Sequence, residues 1–261
     1  MRGSASMAAP AYFSAGADHA GRLPANLWFC SLTVGMLAGI AFLAFPKIDL
    51  VVSGTFHNAG GTFLGQSLGW VQQLRNIFRF VFYLCIAASL AGLFMTRNRT
   101  RTWLRLAFRQ WLFLAICIAM GPGIVANVIF KDHWGRARPK HIVAFGGIKA
   151  FTPPLTPSNQ CARSCSFVSG EAASIFVPFY AAGLLVPQCS AVLFTAGTLL
   201  DVATGLVRVS QGAHYLSDVI FAGVFMGLTV VLAYWAVFGR VPIKGPLGVL
   251  TPPLAEQQGI E

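Results

Sequence analysis

The stretch "WLFLAICIAMGPGIVANVIFKDHWGRARPK", Trp111 to Lys140, changes character once, at Lys131. Twenty mostly apolar residues from Trp111 to Phe130 are followed by ten that hold four cations and a histidine, in a chain where charged residues make up only 10%. An apolar run of that length matches the hydrocarbon thickness of a bilayer. The basic segment therefore begins where a membrane span ends, and it requires an anionic partner.

Five more apolar runs lie on either side, at Leu27–Phe45, Ile77–Met95, Ala172–Val186, Ala191–Val207 and Val219–Phe238. Ala172–Val186 is short and carries Pro178. With 56% hydrophobic residues and a mean hydropathy of +0.66, the chain is expected to be an all-α polytopic membrane protein. Six transmembrane helices form its bundle, residues 26–240, between a leader at 1–25 and a tail at 241–261. The first run is longer than a signal-peptide core and follows a polar leader, so it is read as a retained span.

Charge sets the orientation. "TRNRTRTWLRLAFRQ" carries Arg97, Arg99, Arg101, Arg105 and Arg109, which places the turn between spans two and three in the cytoplasm, together with both termini. Three stretches then face outward: Pro46–Asn76, Lys131–Ser169 and the turn at Arg208–Ser217. The net charge of +11 is explained for the cytoplasmic arginines by anionic lipid. Lys131, Arg136, Arg138, Lys140, Lys149 and Arg163 lie on the disfavoured side and need another reason. In Pro46–Asn76, "GWVQQL" and scattered Phe56, Phe63 and Leu68 fit a short helix at the membrane surface. Cys161 and Cys165 share the outer compartment, where a disulfide can form, although spacing alone does not decide it. Cys30, Cys85 and Cys117 read as small apolar fillers.

The three outward ends carry complementary chemistry. In "VRVSQGAHYLSD", His214 and Asp218 are four apart, so on a helical turn the carboxylate can hold one ring nitrogen and leave the other as a nucleophile. Lys131, Arg138 and Arg208 supply positive charge suited to phosphate oxygens. Ser169 and Gly170 come just before an apolar helix, whose first N–H groups and dipole favour an anion. The implied ligand is a phosphate monoester or pyrophosphate.

These residues resemble the type 2 phosphatidic acid phosphatase superfamily. Its first motif, Lys, six residues, Arg-Pro, is matched by Lys131, Arg138 and Pro139, and its third, Arg, five residues, His, three residues, Asp, by Arg208, His214 and Asp218. The usual serine before that arginine is Val207. In the second motif, Pro-Ser-Gly-His, the sequence reads "VSGE", so Glu171 replaces the histidine that protonates the leaving oxygen. Glu171 is then the candidate general acid if burial or the bound phosphate raises its pKa, with His133 as a substitute donor; the alternative is that Glu171 only stabilises a helix N-terminus.

The resemblance implies a metal-independent lipid phosphatase of the bacterial inner membrane, acting through a phosphohistidine at the periplasmic face, with no cofactor. "CSFVSGE" with "GRARP" is similar to bacterial lipid A phosphatases, particularly those acting at the 4′ position. Undecaprenyl pyrophosphate and phosphatidylglycerophosphate suit the same cluster. The partners implied are a lipid phosphate and the bilayer, with no nucleic acid and no protein partner. A carrier for anions or lipids is the competing class, and Asp201, two helical turns before Arg208, is the residue that would serve it. The plainer role for Asp201 is a buried partner for Arg208 or another cation.

Overall fold

The computed structural model describes residues 11–239, with side chains from Gly21 onward. The expected tail at 241–261 and the first ten leader residues lie outside the described residues.

The elements are α1 (Ala11–Ala44), α2 (Ile48–Gly54), α3 (Leu64–Ser67), α4 (Gly69–Met95), α5 (Phe108–Ile118), α6 (Gly170–Leu185), α7 (Ser190–Ser210) and α8 (Leu216–Phe238), with no strand among the described residues. From Ala119 to Lys131 the helix of α5 continues in a wider, π-type coil. Pro122 has no N–H to give to the regular ladder, and the Asn127 side-chain amide donates to the Pro122 carbonyl at 2.7 Å. This continuation ends on Lys131, at the site.

Among the described residues, five helices are long and apolar enough to cross a bilayer: Gly21–Ala44, Gly69–Met95, Phe108–Lys131, Pro187–Ser210 and Leu216–Phe238. The expected fourth span, α6, has only 16 residues, about 24 Å of helix. Position explains the difference. Ten residues of α6 are buried, against three in the 27 of α4, so α6 is the axis of the bundle and α4 its lipid-facing flank. A helix sheathed by other helices has no need to match the lipid.

Two boundaries differ from expectation. Helix α1 begins at Ala11, inside the expected leader. Helix α4 begins at Gly69, so "GWVQQL" is its first two turns and not a separate surface helix. That shift places Arg75 on α4, facing the site.

The bundle is antiparallel. Trp28 of α1 lies 5.3 Å from Trp235 of α8, and Phe42 lies 6.5 Å from Phe221, so the end of α1 meets the start of α8. Arg109 donates to the Val237 carbonyl, which puts the arginine-rich turn at the other end. Gly92 lets α4 approach α5: a Cβ there would be 2.1 Å from the Trp111 ring. Between apolar helices in lipid, such packing supplies the attraction that hydrophobicity supplies in water. Beneath the site, Phe130 stacks on Phe225 at 4.5 Å and Trp134 on Phe167 at 5.1 Å, forming a rigid apolar floor.

Candidate active site

The three polar ends meet around the start of α6. Gly170 sits against Lys131: a Cβ at Gly170 would be 2.6 Å from the ammonium nitrogen. Any larger residue there would push the lysine away. The Cys165 N–H donates to the Lys131 carbonyl at 2.9 Å, and the Ser169 N–H to the Asp218 carbonyl at 3.0 Å. Ser169 thus spends its backbone donor on holding the segments together, and the donors free for an anion begin with the first turn of α6. Its hydroxyl caps Ala172 at a long 3.5 Å.

His214 is almost fully buried. Its Nδ1 donates to the Ser166 carbonyl at 2.7 Å, while Asp218 Oδ2 is 3.6 Å away, beyond hydrogen-bond range. The expected carboxylate orienter is therefore replaced by a backbone carbonyl, with Asp218 close enough to act through charge. The reason is competition: Asp218 already accepts from Arg136 at 2.6 Å, from the Ser166 hydroxyl and from the Tyr215 N–H at 2.9 Å. With Nδ1 as donor, Nε2 carries the lone pair, and it has no hydrogen-bond partner among the described residues. Burial first, then Arg208 and Lys131, lower the His214 pKa from the usual 6.5 to about 4, against the pull of Asp218. At neutral pH the ring is uncharged.

Arg136, which the sequence grouped with the other external cations, is wholly buried and points inward. It donates to Asp218, to Asp49 at 2.7 Å, to the Ser217 hydroxyl at 2.9 Å and to the Thr152 carbonyl at 2.9 Å, with its guanidinium 4.1 Å over the Tyr215 ring. Asp49 also accepts from the Ser217 N–H at 3.0 Å. This triad locks the start of α8, and with it Asp218, against α2. Sequence reasoning missed Asp49. The available signal was scarcity: a chain with eight acidic residues that places one next to an apolar run needs a buried partner for it.

Glu171 is clamped. Arg75 donates from Nε at 2.9 and 3.1 Å and from Nη2 at 2.7 Å to its two oxygens, and Arg208 Nε stands 3.3 Å from Oε2. Two guanidinium groups around one carboxylate favour its ionised form. Arg75 is the second residue the sequence did not single out, since the span containing it was expected to start later, at Ile77. Arg208 also donates to Gln211. It does not pair with Asp201: seven residues of helix separate them by about 10 Å, beyond what either side chain closes along the axis. Asp201 is buried, with one oxygen lacking any hydrogen-bond partner. His133 is exposed and bonds back to the Val128 carbonyl at 2.7 Å.

Arg138 donates to the Ser164 carbonyl at 2.8 and 3.2 Å and to its hydroxyl at 3.1 Å. Burial lowers its pKa, Asp218 and Glu171 oppose that, and an arginine keeps its charge at neutral pH. Cys161 and Cys165 are joined in a disulfide with Cα atoms 5.6 Å apart. The bridge braces the loop that presents Ser164 to Arg138 and Ser166 to His214.

The PAP2 superfamily model matches residues 110–242, and the chain belongs to that superfamily. Among its relatives is a lipid A 4'-phosphatase of Francisella tularensis subsp. novicida, 36% identical over 79% of this chain and 92% of that protein. A lipid A 4'-phosphatase of Rhizobium etli is 33% identical over 68% of this chain and 74% of that one. The solved phosphatidylglycerolphosphate phosphatase of Bacillus subtilis, a transmembrane PAP2-type enzyme, aligns with a TM-score of 0.48 at 20% identity, covering 81% of this chain and 94% of that one.

Proposed function

We propose that the protein is a lipid phosphatase of the bacterial inner membrane that removes a phosphate, the one at the 4′ position, from lipid A. The observation that carries the chemistry is His214, buried and neutral, with Nδ1 fixed by Ser166 and Nε2 unpaired among the cations that converge at the start of α6. The likeness to two lipid A 4'-phosphatases over most of their lengths supports the substrate. The arginine-rich turn at the opposite end supports a periplasmic site and cytoplasmic termini.

Lys131, Arg138 and Arg208 hold the phosphoryl oxygens, where charge accumulates in the transition state. Nε2 of His214 bonds to phosphorus as the bond to the lipid oxygen breaks. An incoming phosphate dianion competes with Glu171 for Arg75 and Arg208, and the carboxylate it displaces takes up a proton. Glu171 then gives that proton to the departing oxygen. Water attacks the phosphohistidine, returns a proton to Glu171 and frees inorganic phosphate. The fixed cations do the electrostatic work a metal does elsewhere, and the pathway uses none.

The test is mass spectrometry of lipid A incubated with purified protein in detergent. Loss of the 4′-phosphate, abolished in a folded His214→Ala variant, is the expected result. An intact lipid A alongside hydrolysed undecaprenyl pyrophosphate or phosphatidylglycerophosphate would reassign the substrate, and transport without phosphate release would remove the enzyme reading.

A further inference from the structure

Of the external cations that orientation alone leaves unexplained, the fold accounts for Lys131 and Arg138 at the phosphate cluster and Arg136 in the interior triad. Lys140, Lys149 and Arg163 remain, of which the two lysines lie together. Both are exposed, and neither has an ion-pair partner among the described residues, yet they line the same open recess of about 510 Å³ with His141, Asn159, Gln160 and Cys161. Both act on the His141 between them: after burial, Lys140, Arg138 and Lys149 lower its pKa.

The recess is built, and it is tied to the catalytic turn. The Lys140 N–H donates to the Gly212 carbonyl at 3.1 Å, two residues before His214. Ile148 and Lys149 donate back to the His141 carbonyl at 3.0 and 2.9 Å, and Val143 to that of Lys149 at 2.9 Å, which closes the loop that carries both lysines. On the far wall, Gln160 accepts from the Ala150 N–H at 2.9 Å, next to the disulfide. After burial, Arg138 and Arg208 are the chief causes that lower the Lys140 pKa, a sign that the recess borders the phosphate cluster.

We propose that the Lys140–Lys149 recess is a second anion subsite, which takes a second phosphate on the same head group whose first phosphate lies at His214. The proposal rests on the phosphatase reading and narrows it: the preferred substrate is a lipid phosphorylated at two separated positions, and the distal group sets affinity while the proximal one reacts. The amides of Asn159 and Gln160 add neutral donors suited to phosphate or sugar oxygens.

Binding is measured in the His214→Ala protein, so that the outcome does not depend on turnover. The ligands, in neutral detergent, are a bisphosphorylated disaccharide lipid and the same lipid lacking the distal phosphate. Two charge-assisted contacts at an exposed site predict that Lys140→Ala with Lys149→Ala weakens the bisphosphorylated ligand about tenfold more than the monophosphorylated one. Lys140→Arg with Lys149→Arg should keep most of that difference. Equal weakening of both ligands would overturn the subsite. So would the same lysine dependence for the monophosphorylated lipid when phosphatidylglycerol is added to the micelles, since the recess would then serve a neighbouring lipid. Absence of phosphate release by the wild type, with lysine-dependent binding intact, would instead count against the phosphatase reading alone.

Discussion

Two arginine–carboxylate clusters adjoin His214 in this protein and differ in exposure. Asp49, Arg136 and Asp218 are sealed from solvent, with both ion pairs at 0% side-chain exposure. Arg75, Glu171 and Arg208 sit at the mouth, where the Arg75–Glu171 pair is 26% and 22% exposed. A sealed cluster cannot exchange partners, because each freed charge would be left in a poorly polarisable interior. One at the mouth can, since water or an incoming anion replaces what is lost. The first is suited to holding Asp218 beside His214, the second to yielding to a phosphate.

The comparison breaks most visibly at Arg136. Replacing it with leucine strands two buried aspartates, and a loss of about 3–5 kcal/mol is expected for opening such a pair. Thermal denaturation in detergent should show a sharply lowered midpoint or no folded protein, and a variant as stable as wild type would mean that the triad is not what holds α8.

His214 lies between the two clusters and reports on both. Its pKa is lowered to about 4, so between that value and the ordinary 6.5 the folded protein keeps the ring neutral where the unfolded chain takes a proton. Stability tied to this group is therefore complete above 6.5 and is lost as pH falls toward 4. The neutral ring that the proposed mechanism needs survives over the same window. Once the substrate's own ionisation is divided out, the acid limb of kcat/KM should fall well below pH 6.5. A limb at the ordinary histidine value would show that the ring is solvated.

The smallest effect is expected at the mouth. Arg75→Leu and Glu171→Gln should each change stability by no more than about 1 kcal/mol, as ion pairs in contact with water do. Calorimetric unfolding of the two variants checks this, and a cost matching that of Arg136→Leu would erase the distinction between the clusters.

Much of this was legible beforehand. The spans follow from apolar length, and the spacing of Arg208, His214 and Asp218 placed them at one helix junction, because membrane span and helical turn are local rules. The clusters obey no such rule. Arg75 meets Glu171 across 96 residues and Arg136 meets Asp49 across 87. Hence "GRARP" looked like one basic patch, although Arg136 turns into the interior and Arg138 toward Ser164. The π-type coil that ends on Lys131 was equally hidden, since it arises where Pro122 meets a neighbouring amide.

The sequence by itself determined that this is a helical membrane protein with a basic, histidine-bearing end, because hydrocarbon thickness and helical period act on neighbouring residues. Only the tertiary structure decided which cations are buried as struts and which stay at the mouth, and that a carbonyl rather than a carboxylate orients His214. Whether a charge can be buried depends on the partner that reaches it in space, and those partners come from distant parts of the chain.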